Sequence, residues 1–152
     1  MSSRDLNDLA PHVREKAQKH LQLCAEADID LLIYCTYRSA VEQDALYCSG
    51  RTVKGAVVTM CRGGQSWHNL SDKGKPASYA YDCVPMRGGK PVWTQNNDAD
   101  RTLWQTVGKL GEQAGLQWAG RWTGALRETA HFEDTRGQSI ATLWAAQGGK
   151  NA

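Results

Sequence analysis

Three short segments of the chain carry residue types suited to hold a divalent metal ion. Ser66-Trp67-His68 places a histidine at the end of a Gly-rich loop. Tyr79-Ala80-Tyr81-Asp82 places an aspartate in an otherwise apolar run. Glu128-Thr129-Ala130-His131-Phe132-Glu133 frames a histidine with two carboxylates. A catalytic zinc site uses three protein ligands and keeps a fourth position open for water, and imidazole and carboxylate both suit it. His68, Asp82 and His131 form such a set. On a strand, Asp82 shares a face with Ala80 and Val84, where an acid is costly unless it is paired or metal-bound. Water activated by zinc still needs a base to take its proton. Glu128, three residues before His131, suits that task and the later protonation of a leaving amine. Glu133 competes for the role, because on a strand it would share the face of His131. Arg38, at the end of another apolar run, can hold a substrate carbonyl or carboxylate. Each residue also has an ordinary reading. A lone histidine is more often a hydrogen-bonded side chain, Asp82 could pair with Arg38, and Arg38 could be a structural clamp.

Helices and strands must hold these residues in place. Residues 11–27 read as a helix, with Pro11 in the first turn and Val13, Ala17, Leu21 and Cys24 at spacings of three and four. His12 and His20 lie on it and read as surface or boundary residues. Residues 31–37 form an apolar, β-rich run that predicts a buried strand. Ser39 can cap a helix running to about Tyr47, and Ser49-Gly50 can stop it. Residues 51–66 read as a Gly-rich loop with a β-prone piece at Ala56–Thr59, and residues 71–78 as turn and loop chemistry. Tyr79–Met86 predicts a strand, Asp98–Ala114 an amphipathic helix, Leu116–Trp118 and Ala130–Glu133 short strands, and Ser139–Ala146 a last helix. Helices and strands mix without regular alternation, which predicts an α+β fold.

Composition narrows the partners. The chain has 152 residues and a formal net charge of +2, the size of one domain able to bury a core without a disulfide scaffold. Basic residues are spread along the chain with no dense cluster, which argues against a nucleic-acid partner. No apolar stretch approaches the length of a membrane span, and the N-terminus lacks the apolar core of a signal peptide. The five cysteines include no C-x-x-C pair, so they read as small buried hydrophobes of a chain made in a reducing compartment.

Beyond these residues, the sequence resembles the family of zinc D-alanyl-D-alanine carboxypeptidases and L-alanyl-D-glutamate endopeptidases. That family includes many phage endolysins and shares the hedgehog signalling domain's fold. The likeness covers about residues 30–134. It is carried by Tyr37-Arg38-Ser39 with Gln43, Leu46-Tyr47 and Gly50-Arg51, then by Val58-Thr59 and Ser66-x-His68. Ala80-x-Asp82-x-x-Pro85, Trp118-Ala119-Gly120-Arg121-Trp122 and Glu128-x-x-His131-Phe132-Glu133 complete it. The resemblance implies a small antiparallel sheet with flanking helices. It also implies zinc held by His68, Asp82 and His131, Glu128 as general base and Arg38 on the substrate carbonyl. Ser66 and Gln43 would support the substrate site, with Trp118 and Trp122 as its wall, although both tryptophans are equally readable as core. The family usually sets its histidine and aspartate seven apart, whereas His68 and Asp82 stand fourteen apart. The extra residues fall in 71–78, which makes Asp72 a rival ligand and the insertion a possible rim.

The expectation is a single catalytic domain spanning residues 1–152, without a separate wall-binding domain. It would act as a monomeric phage endolysin on the peptidoglycan stem peptide, made in the host cytoplasm and released to the wall. A D-Ala-D-Ala carboxypeptidase or dipeptidase is the enzymatic alternative, and a non-catalytic zinc-stabilised binding domain the other.

Overall fold

The computed structural model describes residues 1–149. Its centre is an antiparallel sheet. Strand β1 (Asp30–Cys35) pairs with one edge of β4 (Ala80–Arg87). On the other edge of β4 lie β5 (Lys90–Pro91), along its C-terminal end, and β7 (His131–Glu133), along its N-terminal half. Strand β6 (Gln117–Trp118) completes the sheet beyond β7. Helices α1 (Pro11–Glu26) and α3 (Asp98–Gln113) pack on each other and on the sheet. The α+β class and the flanked antiparallel sheet therefore match the reading of the sequence.

The periodicities that predict the elements also decide which way they face. Val13, Ala17, His20 and Cys24 are the buried residues of α1, at spacings of four and three. Strand β1 alternates exposed and buried positions along its first four residues. Helix α3 approaches the sheet closely through two glycines. A Cβ on Gly108 would lie 2.4 Å from the Trp118 ring, and one on Gly111 would lie 2.3 Å from Phe132. Helix α2 (Ala40–Cys48) begins with a capping box in which Ser39 and Glu42 satisfy each other's backbone N–H groups. Helix α4 (Ile140–Ala146) follows an N-cap at Ser139.

The structure corrects the sequence reading at three places. Ala56–Thr59 forms no strand, and Val57 and Val58 are exposed. Residues 71–76, read as loop, make a two-stranded hairpin of β2 (Ser71–Asp72) and β3 (Lys75–Pro76). Its two central residues, Lys73 and Gly74, have φ of 49° and 77°, the signature of a tight turn whose twist suits a hairpin. His20 is not a boundary residue. It is fully buried, with Nδ1 2.6 Å from the Tyr81 hydroxyl and Nε2 2.9 Å from the Val107 carbonyl. The carbonyl can only accept, so Nε2 donates to it and Nδ1 accepts from the tyrosine.

Candidate metal centre

Alternation along two paired strands creates the site. Tyr81 of β4 and Phe132 of β7 face each other across the ladder and enter the hydrophobic core. Their neighbours Asp82 and His131, the next cross-strand pair, therefore point to the opposite face. His68 reaches this face from a 3-10 turn at Trp67–Asn69, capped by Ser66. Asn69 locks that turn. Its amide donates to the Arg38 carbonyl at 2.8 Å, and its Oδ1 accepts from the backbone N–H groups of Gly64 and Ser66.

Asp82 stands between the two histidines. Its Oδ1 lies 3.3 Å from His68 Nε2 and 3.1 Å from His131 Nδ1. Each ring is fixed from behind by its other nitrogen. His68 Nδ1 donates to the Thr36 carbonyl at 2.8 Å, and His131 Nε2 to Glu133 Oε1 at 2.8 Å. All three side chains are buried. Burial opposes ionisation of Asp82, but the His68 charge and hydrogen bonds from both imidazoles outweigh it and hold the carboxyl far below its usual range. Burial likewise works against a charged His131, yet Asp82 and Glu133 push its pKa up to about 9. His68 is raised for the same reason, chiefly by Asp82.

This donor set fits a metal ion. Two ligands on a tetrahedral zinc at about 2.0–2.1 Å stand roughly 3.4 Å apart, close to the 3.3 and 3.1 Å separations at Asp82. Backing of each imidazole by an acceptor is the arrangement that orients metal-ligating histidines. The donor atoms form two groups that share Asp82: Cys35, His68 and Asp82, and Asp82, Glu128 and His131, each within 4.8 Å. The two histidines thus meet through the carboxylate. Asp72 is exposed on its hairpin and belongs to neither group.

The centre lies in the wall of a cavity of about 800 Å³. Glu128 stands on its lip with a half-exposed side chain, its Oε2 3.9 Å from His131 Nδ1. Crowding by protein raises its pKa, with His131 pulling the other way. Trp122 lines the cavity with its ring 5.9 Å from that of His131, and Ser66 lines it beside His68. Arg38 also lines it, though its guanidinium is heavily engaged. Nε donates to Ser2 Oγ, Nη1 to Gln43 Oε1 and Nη2 to Cys35 Sγ, with Asp82 Oδ2 3.7 Å from Nη2.

Two expected substrate contacts take other roles. Trp118 is buried at 2% exposure, stacks on Phe132, and donates its indole N–H to the Thr129 carbonyl. It is a core residue that props the Glu128 segment from below. Gln43 is fully buried and does not line the cavity. It links Arg38 to the cavity wall by donating to Thr59 Oγ1 and the Cys61 carbonyl. Glu133, the rival base, sits behind His131 at 3% exposure. The sequence reading missed Cys35, whose apolar surroundings hid it. Its thiol lies 3.8 Å from His68 Nδ1, and despite burial the His68 and Arg38 charges hold its pKa below the usual value.

Imidazoles and carboxylates gathered beneath an open groove, with a free acid at the rim, are the equipment of metal-dependent hydrolases. Comparison with known proteins narrows that class. The family model described as D-alanyl-D-alanine carboxypeptidase matches residues 62–134. The peptidoglycan L-alanyl-D-glutamate endopeptidase CwlK of Bacillus subtilis (strain 168) is 34% identical over 130 residues, which cover 84% of this chain and 74% of CwlK. Among solved structures, the L-Ala D-Glu endopeptidase ChiX of Serratia marcescens superposes with a TM-score of 0.59 at 16% identity, covering 90% of each chain. At that identity the likeness concerns the fold. With the sequence match to CwlK, this chain belongs to the D-alanyl-D-alanine carboxypeptidase family of metallopeptidases.

Proposed function

We propose that this metallopeptidase is a zinc-dependent peptidoglycan peptidase that cuts the stem peptide between L-Ala and D-Glu. The observation that carries the reading is Asp82, buried between two imidazoles that are each fixed from behind, at the wall of an open cavity. Similarity to CwlK supports the substrate. His68, Asp82 and His131 hold the ion. When bound there, zinc would supply Lewis-acid polarisation of the scissile carbonyl and a water of lowered pKa. Glu128 accepts the proton of the attacking water and passes it to the departing amine. Burial raises its pKa, the direction that favours a carboxyl group that must both take and give a proton. Arg38 restrains Asp82 and turns its remaining N–H groups toward the carbonyl oxygen. Trp122 forms a wall. The protein acts as a monomeric phage endolysin, made in the host cytoplasm and released to the wall.

The test has two parts. Mass spectrometry of fragments from purified peptidoglycan should show new L-Ala carboxyl and D-Glu amine ends. Release of D-Ala alone would overturn the endopeptidase assignment. Glu128→Ala should keep zinc and stop hydrolysis, and a fully active variant would remove Glu128 from the role of base.

A further inference from the structure

Two arginines line the cavity, and their situations are opposite. Arg38 is neutralised by the protein itself, paired with Asp82 and bonded to Ser2, Gln43 and Cys35, and its remaining N–H groups are the ones assigned above to the scissile carbonyl. Arg127 is exposed, and among the described residues its side chain makes one hydrogen bond, from Nε to the Gly120 carbonyl at 3.1 Å. Among the described residues it forms no salt bridge. Both Nη groups therefore stay available, in a fork suited to a carboxylate.

The stem of this arginine is held in place. Gly120 belongs to a 3-10 turn at Ala119–Arg121, and a Cβ there would lie 2.2 Å from the Trp118 ring. Ala119 is buried and its carbonyl accepts from the Glu128 backbone N–H. The turn that orients the Arg127 guanidinium thus also anchors the residue proposed as base.

We propose that Arg127 binds the free carboxylate of the glutamyl residue beside the scissile bond, making the enzyme selective for acidic over amidated stem peptides. This rests on the function proposed above. A glutamyl residue has two carboxyl groups, and the peptide continues through only one. The other remains next to the amide being cut, in a site already lined by Asp82, Glu128 and Glu133. Like charges repel there, and a second anion needs a cation that the protein has not already neutralised. Arg127 is that cation.

The test uses the zinc-loaded protein and two soluble stem peptides, one with the free glutamyl carboxylate and one with its carboxamide. Wild type should prefer the carboxylate peptide by roughly tenfold or more in kcat/KM, through KM. Arg127→Gln should lose that factor on the carboxylate peptide and change little on the amide, bringing the ratio near one. Arg127→Lys should keep part of the preference, and because position 127 is exposed all three proteins should unfold at similar temperatures. A wild type indifferent to amidation, or an Arg127→Gln variant equally impaired on both peptides, would overturn the assignment. If folded wild type cleaves neither peptide nor purified peptidoglycan, the proposed function fails and this inference falls with it.

Discussion

Glu133→Ala is expected to weaken zinc binding by roughly 10- to 100-fold, while Glu133→Gln stays close to wild type. Glu133 is 3% exposed and its Oε1 receives His131 Nε2–H at 2.8 Å. A hydrogen bond to a charged partner is worth about 1.5–3 kcal/mol net, close to the roughly 1.4–2.7 kcal/mol that this fold-change represents. Alanine removes the acceptor, leaves the Nε2 proton unsatisfied in a buried site, and frees the ring to turn its other nitrogen away from Asp82. Glutamine keeps an acceptor oxygen in nearly the same place. Competition against a chromogenic zinc chelator measures the affinities, with circular dichroism confirming that both variants are folded. Native zinc affinity in a folded Glu133→Ala protein would refute the backing role. A Glu133→Gln protein that keeps zinc but hydrolyses nothing would show that Glu133 takes the proton from water.

Asp82→Ala should abolish zinc uptake and Asp72→Ala should leave it intact, read as metal content after dialysis, because only Asp82 is buried against both histidines. His20 makes stability pH-dependent: burial lowers its pKa to about 4 from 6.5, so between those values the unfolded chain binds more protons and stability falls on acidification. Complete titration is worth about 3 kcal/mol, and urea unfolding at pH 7 and pH 4 should show a steeper loss in wild type than in His20→Gln. Gly111→Ala should cost about 1–3 kcal/mol, seen as a lower thermal midpoint, because its Cβ would meet the Phe132 ring at 2.3 Å.

Helix α1 and strand β1 were legible because their burial follows local periodicity, and β4 because it is a nearly continuous apolar run buried on both faces. Asp82 stood out because an acid in an apolar strand demands a partner. Its grouping with His68 and His131 was readable from residue types, but the β4–β7 register that sets His131 directly opposite it was not, because it joins residues 49 apart in sequence. Trp118 shows the same limit, since a tryptophan under the site and one lining it look identical until the sheet face is known. The Lys73-Gly74 turn carried a weak signal, because lysine rarely adopts a positive φ. Ala56–Thr59 has the composition of a strand but no edge to pair with, and the chain there serves as cavity wall instead. Cys35 and Asn69 gave no signal at all. Their roles depend on what Arg38 and His68 reach across the fold.

Core and metal centre are two faces of the same strand pair. Tyr81 and Phe132 hold the inner face against α1 and α3, through the His20 hydrogen bond and the close approach at Gly111. Asp82 and His131 occupy the alternate positions. A one-residue slip of β7 against β4 would drive His131 and Glu133 into the core and expose the Phe132 ring. The hydrophobic cost of that exchange fixes the register, and the register in turn sets the Asp82–His131 distance. The donors are therefore positioned by apolar burial on the far side of the sheet, and their mutual hydrogen bonds refine a placement that the core has already made.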